Sequence, residues 1–315
     1  MIRLIISALC LGLFIWNPYP FKFLELKTYD WLIMSQPEVQ NENIVLVDID
    51  EAVIKAYGGY PLPRSFYADF LKRTNVAGIT VLMPDPDIRD RNNDFELASV
   101  MASKPTVLAS AASIQSEELS LHVGTAEIGE DPRPWLYQYP GILRTESIVA
   151  LNAKGLGVVT ATPEIDGVTR RIPLVVNVES KLYPSFALEL LRVAVSDPSY
   201  QLKTTQEGVQ WVRIPNYPLM NTDANGRIFL NWNTKFYKQT GLEFLKNPIE
   251  APFVIFGTTA EGITNPVPTP AGAKYPHEIQ ANILHNLING TAPSQPTWAP
   301  GVEILGTFLG LLLLA

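Results

Sequence analysis

Residues 43–49 read Asn43-Ile44-Val45-Leu46-Val47-Asp48-Ile49, a short apolar run rich in β-branched residues that breaks at Asp50-Glu51. A run of this length, apolar at almost every position, is the pattern of a strand buried on both faces of a sheet. Such strands belong to parallel sheets, and the neighbouring segments fit one. Residues 51–57 read as a helix stopped by Gly58-Gly59, and Pro61-Leu62-Pro63 forms a rigid loop. Ser65 is placed to cap a helix through Arg73. Residues 76–83 (VAGITVLM) read as the next strand, 94–102 as a helix capped by Asp94, and 105–112 as a third strand. Strands alternating with helices predict an α/β fold, with a mostly parallel sheet covered by helices.

Further along, the pattern loosens. Residues 116–148, with Pro132, Pro134 and Pro140, read as a loop-rich insertion. Residues 157–162 and 171–178 read as strands around the turn at Asp166-Gly167, and 183–195 as an amphipathic helix. Residues 209–214 and 227–232 read as antiparallel additions around Asp223-Ala224-Asn225-Gly226. A last buried strand at 253–256 precedes a helix over 277–287.

Both ends are apolar. Residues 4–16 (LIISALCLGLFIW) follow Arg3 and precede Asn17-Pro18-Tyr19-Pro20. A cleaved signal peptide, an uncleaved anchor and a buried core helix all fit a run of this kind. Bulky Phe14, Ile15 and Trp16 stand where a cleavage site needs small residues, which favours the anchor. Arg3 then predicts an inside N-terminus and an outside body. After Pro300-Gly301 the chain is apolar to Ala315 and reads as the start of a transmembrane helix. The expected organisation is an anchor over 1–20, an extracytoplasmic domain over 21–296, and a membrane segment from 297 to 315, so that transmembrane segments flank the domain.

Bulk composition narrows the functions. Of 315 residues, 47% are hydrophobic, which argues against disorder. A net charge of -7 with no Lys/Arg cluster argues against a nucleic-acid partner. The lone cysteine, Cys10, excludes an internal disulfide and a cysteine-based zinc site.

Several polar residues invite a functional reading beside a structural one. Asp48 and Asp50 sit at a strand's C-terminal end, where open α/β sheets bind ligands. They would serve a metal-dependent phosphatase of the haloacid-dehalogenase kind, or else bond loop amides (Asp48) and cap the next helix (Asp50). The lysine and distant acidic pair such a phosphatase needs do not assemble. Asp85, Asp87, Asp90 and Asp94 form a second acidic group that can share one cleft with Asp48 and Asp50. The spacing lacks the EF-hand pattern, so no metal site is assigned and no cofactor is expected. Arg64, Arg170 and Arg171 would bind an anionic ligand or form structural ion pairs. His277-Glu278 begins like a zinc-protease helix, but Ala281 stands where the second histidine belongs. His277 and His285 share one helical face and suit a structural or pH-sensing role, and His122 falls in the insertion.

The order of motifs resembles the CHASE2 family, sensor domains lying outside the membrane in bacterial receptors. The resemblance rests on Tyr29-Asp30, the strand ending Asp48-Ile49-Asp50, Gly59-Tyr60-Pro61-Leu62-Pro63-Arg64, and Asp166-Gly167-Val168-Thr169-Arg170. It continues through Tyr183-Pro184-Ser185-Phe186, Ile255-Phe256-Gly257, Thr269-Pro270 and Pro276-His277-Glu278. It implies a periplasmic sensor in the bacterial inner membrane, working as a homodimer and relaying an unknown ligand or cue to a cytoplasmic cyclase or kinase. The candidate ligand-binding residues are Asp48, Asp50, Arg64, Asp85, Asp87, Asp166, Arg170 and His277, with no catalytic residue assigned. An α/β hydrolase and a solute-binding or scaffold module are the competing readings.

Overall fold

The computed structural model describes residues 12, 18–114, 124–294 and 298–314. These fall into two compact units, Glu38–Ala292 and a second unit formed by Met1–Pro37 with Pro293–Ala315.

The larger unit is built on a seven-stranded sheet. The decisive strand, β1 (Val39–Ile49), pairs in parallel with β15 (Thr234–Thr240) on one side and β16 (Phe253–Thr258) on the other. β16 in turn pairs in parallel with β2 (Val76–Ile79), which pairs with β3 (Thr106–Ser113), and β3 with β7 (Gly155–Val158). Only β6 (Gly141–Leu143) runs antiparallel, against the end of β3. The sheet is therefore mostly parallel, and β16, from late in the chain, lies between β1 and β2. All six residues of β16 are buried, as its apolar sequence requires.

β1 starts four residues before its apolar run. Its polar head is held because Asn41 Oδ1 accepts from the amides of Asn43 and Ile44, at 2.9 and 3.0 Å, where the β1–β15 register slips. Alternation then sorts the two faces of β1. Val45, Val47 and Ile49 enter the main core with Val53 of α2 (Glu51–Ala56), Phe66 and Phe70 of α3 (Arg64–Leu71), Leu97 and Met101 of α4 (Asn92–Ala102), Val149 of α5 (Ser147–Asn152) and Phe244 of α7 (Gly241–Lys246). Phe70 is the hub, with ring centroids 4.3 Å from Phe66, 5.4 Å from Phe244 and 4.8 Å from Phe256. Contacts of this geometry add about 0.5–1.5 kcal/mol each beyond burial. The other face carries α6 (Phe186–Ala194) and α8 (Pro276–Asn289). α6 approaches closely because β7 has no side chain at Gly157, where a Cβ would meet the Phe186 Cα at 2.3 Å.

Several details differ from the sequence expectation. Ser65 does not cap α3; Pro63 is the N-cap residue, and the Arg64 amide is satisfied by Asp87 Oδ2 at 2.9 Å. Asp94 does not cap α4, which begins at Asn92. Residues 171–178 form two strands, β8 (Arg171–Pro173) with β14 (Arg227–Phe229) and β9 (Val175–Val178) with β10 (Lys181–Pro184) and β5 (Gln138–Tyr139). β12 (Gly208–Arg213) pairs with β11 (Ser199–Thr205) and β13 (Met220–Asn221), not across the 223–226 turn. The expected loop-rich insertion contains β4 (Gly124–Gly129), which pairs in parallel with β11. The hairpin β17 (Val267–Thr269) and β18 (Gly272–Lys274) leads into α8.

In the smaller unit, α1 (Tyr19–Met34) carries the ion pairs Lys22–Glu25 at 2.9 Å and Lys27–Asp30 at 3.4 Å, and α9 (Ala299–Leu314) is apolar. No helix among the described residues is long and apolar enough to cross a membrane. α9 has 16 residues, about 24 Å of rise against a hydrocarbon core of roughly 30 Å. The apolar run over 4–16 lies outside the described residues except Gly12, as does His122.

Candidate functional site

In the parallel register Asp48 stands beside Gly257 and Ile49 beside Thr258. Since Val47 and Ile49 enter the main core, Asp48 points to the opposite face, toward α8. There it meets His277, the second residue of α8, with Nε2 2.8 Å from Asp48 Oδ1. The His277 side chain is fully buried, whereas Asp48 keeps 23% of its side chain exposed. A carboxylate accepts, so Nε2 carries the hydrogen, and in the neutral ring Nδ1 presents a lone pair. That Nδ1 is buried without a hydrogen-bond partner among the described residues.

The imidazole sits this deep because Gly257 has no side chain. A Cβ there would lie 2.2 Å from Nδ1 and 2.3 Å from the ring's Cγ. Further support comes from the start of α8. Glu278 accepts from the Tyr275 amide at 2.7 Å and from Lys238 of β15 at 2.5 Å. Burial raises the Glu278 pKa, but these donors outweigh it and hold the carboxyl below its ordinary range. At the far end of α8, His285 Nδ1 lies 2.7 Å from Asn41 Nδ2 of β1. Burial keeps the His285 pKa low.

His277 lines a cleft of about 230 Å³ with Tyr60, Thr80, Leu82, Thr258 and Ile263. This is the carboxyl edge of the sheet, where β1, β2 and β16 end, the usual ligand position in open α/β folds. Two hydroxyls tie the strand ends together below it. Thr80 Oγ1 donates to the Phe256 carbonyl at 2.8 Å, and Thr258 Oγ1 to the Ile49 carbonyl at 3.1 Å. The cleft thus combines apolar walls with a few fixed polar groups.

The other candidates lie elsewhere. Asp50 caps α2, its Oδ1 accepting from the Val53 amide at 2.9 Å. Asp48 bonds His277, not loop amides. Arg64 and Asp94 form a buried pair, Nε to Oδ1 3.1 Å, and Arg64 also donates to the Asp85 carbonyl. Asp94 Oδ2 accepts from the Asp87 amide at 2.9 Å. Burial pushes the Asp87 carboxyl up, but the Arg64 and Arg89 amides and the Asn93 side chain bring it below its ordinary range. Asp85, Asp87 and Asp94 therefore clasp the 85–94 loop to α3, and none of them lines the cleft. The Asp94 carboxylate is taken by the Arg64 guanidinium and the Asp87 carboxylate by the Arg64 amide, and none of Asp85, Asp87 and Asp94 shares the cleft with His277. Among the described residues no three His, Cys, Asp or Glu side chains come together as metal ligands. Arg170 grips Asp166 with two bonds of 2.8 and 2.7 Å, both side chains buried, and Arg171 pairs with Glu164 and Asp223.

Asp48 and His277 are thus the two sequence candidates brought together at the cleft. Tyr60 stands out in the sequence only within the 59–64 stretch, and Thr80, Leu82, Thr258 and Ile263 do not stand out at all. Their signal is position alone, at or just past the ends of elements that converge on one edge.

No curated protein and no solved structure gives a significant match to this chain. The family model of the CHASE2 domain matches residues 5–315. That match spans nearly the whole chain, through the β1 end that carries Asp48 and the α8 start that carries His277, so the protein belongs to the CHASE2 family of extracytoplasmic sensory domains.

Proposed function

We propose that this domain receives a small ligand in the carboxyl-edge cleft and relays its occupancy across the bacterial inner membrane. The observation that carries this reading is His277 itself, which lines the cleft, is oriented through Nε2 by Asp48, and keeps a buried Nδ1 with no hydrogen-bond partner among the described residues. A buried polar atom without a partner has a standing cost that a hydrogen-bonding ligand removes. The connectivity of α8 supports the relay. The helix begins at the cleft, is held along β1 at Asp48 and Asn41, and ends at Gly290, two residues before the compact unit ends at Ala292. A change in His277 is therefore passed along the element that leads out to the C-terminal segment. In this reading residues 1–20 and 297–315 belong to membrane segments, the domain is periplasmic and homodimeric, and the output is a cytoplasmic cyclase or kinase.

The hydrolase reading loses its basis, because Asp48 and Asp50 are committed to different partners. The test is a thermal-shift screen of the full chain against small metabolites. A ligand that binds the folded state raises the midpoint by mass action. The proposal predicts a hit that disappears in Leu82→Trp, which fills the cleft and leaves the Asp48 and His277 side chains in the sequence. Hits that all persist in Leu82→Trp would contradict it.

A further inference from the structure

A second cleft, of about 510 Å³, opens at the opposite edge of the sheet, where α4 runs into β3, the chain enters β7, and α6 ends. Its charged and hydroxyl lining is Ser103, Lys104, Lys154, Arg192, Ser196 and Asp197. On a chain of net charge -7, three cations around one cleft stand out.

Their partners differ. Arg192 is saturated, with Nε 2.8 Å and Nη2 2.6 Å from the two carboxylate oxygens of Glu189. Among the described residues Lys104 has only neutral partners, donating to the carbonyls of Lys72 at 3.1 Å and Thr74 at 2.8 Å. Burial pushes its pKa down, so the ammonium is partly desolvated without a counter-ion. Lys154, exposed on the same cleft, has no carboxylate partner among the described residues. The cleft's one carboxylate is Asp197, whose Oδ1 is engaged by the Ser199 amide at 3.0 Å and whose charge acts on Arg192, which also donates to the Asp197 carbonyl. Two ammonium groups across a roomy cleft, each lacking an anion, suit an oxyanion of more than one charge.

We propose that this cleft binds a small phosphate-bearing anion, held between the ammonium groups of Lys104 and Lys154. The site is independent of the His277 cleft.

The test titrates inorganic phosphate and pyrophosphate into the full chain by isothermal calorimetry at low ionic strength. Saturable binding is expected in the wild type and in Lys235→Gln, a control on β15 at the other end of the sheet from β3 and β7. Lys154→Gln, an exposed change that leaves packing alone, is expected to weaken binding about tenfold, the loss of one charge-assisted contact. Lys104→Gln is expected to do the same with an unchanged far-ultraviolet circular dichroism spectrum. His277→Gln is expected to leave phosphate affinity unaltered. Absence of saturable binding, wild-type affinity in Lys154→Gln, or loss of binding in His277→Gln would each overturn the proposal.

Discussion

His277 Nε2 and Asp48 Oδ1 meet at 2.8 Å although 229 positions separate them in the chain. The contact joins the carboxyl end of β1 to the first turn of α8. Removing the acceptor leaves a buried N–H unpaired, so Asp48→Ala is expected to lower stability by about 1–3 kcal/mol in urea unfolding. Asp48→Asn keeps an acceptor oxygen and is expected to cost less. Equal losses in the two variants would show that the hydrogen bond does not orient the ring.

Gly257 makes room for that ring. Gly257→Ala places a methyl group 2.2 Å from Nδ1, and the expected destabilisation is about 1–3 kcal/mol. The effect should be strongly non-additive with His277→Ala, because the second change removes the clash. Additive free energies in a double-mutant cycle would place the strain elsewhere.

Arg64 and Asp94 are buried together, with side chains 3% and 0% exposed. Asp94→Leu strands the guanidinium, and about 3–5 kcal/mol of stability should be lost. Ordering of the 85–94 loop should fall with it, read as faster amide exchange at Asp87, whose N–H bonds Asp94.

Glu189 is buried over Gly155, and burial pushes its carboxyl up to about 7 although Arg192 pulls it down. Arg192 is itself raised, because its hydrogen bonds to Glu189 outweigh burial. The direction for Glu189 follows from its nearly complete burial. A folded-state pKa above the unfolded value of 4.5 means that the native protein binds the extra proton. Its contribution to stability is full below pH 4.5 and is lost as pH rises through about 7. Wild type minus Glu189→Gln should therefore fall by on the order of 1–3 kcal/mol across that window in urea unfolding. His285, whose low folded pKa acts in the opposite direction, is common to both proteins and cancels. A flat difference would show that Glu189 stays ionised throughout.

The fold is legible in the sequence where signals are local. The apolar runs of β1, β2, β3 and β16 read as buried strands, and the Asp50 cap follows from one residue and its position. β15 escapes such a reading because Thr234–Thr240 is a polar edge strand with half its register on the polar head of β1. The capping box Thr240–Glu243 that opens α7 is a local signal too, but a short one that apolar periodicity overlooks. Asp94 looks like a cap by the same local logic, but Arg64, thirty positions away, takes it for a buried pair. At the site, Asp48 and His277 are each recognisable by type and place. Their pairing is not, because it depends on β16 inserting beside β1 and presenting Gly257 to the ring.

The most direct test of a ligand-receiving His277 is nitrogen-15 spectroscopy of the histidine-labelled full chain, which has three histidines. Before ligand, His277 should show a protonated Nε2 and a bare Nδ1. On addition of a small molecule that stabilises the fold, the account predicts that the His277 Nδ1 resonance shifts toward the hydrogen-bonded range while the His122 signals stay in place. Full stabilisation by the ligand with the His277 resonances unmoved would contradict it.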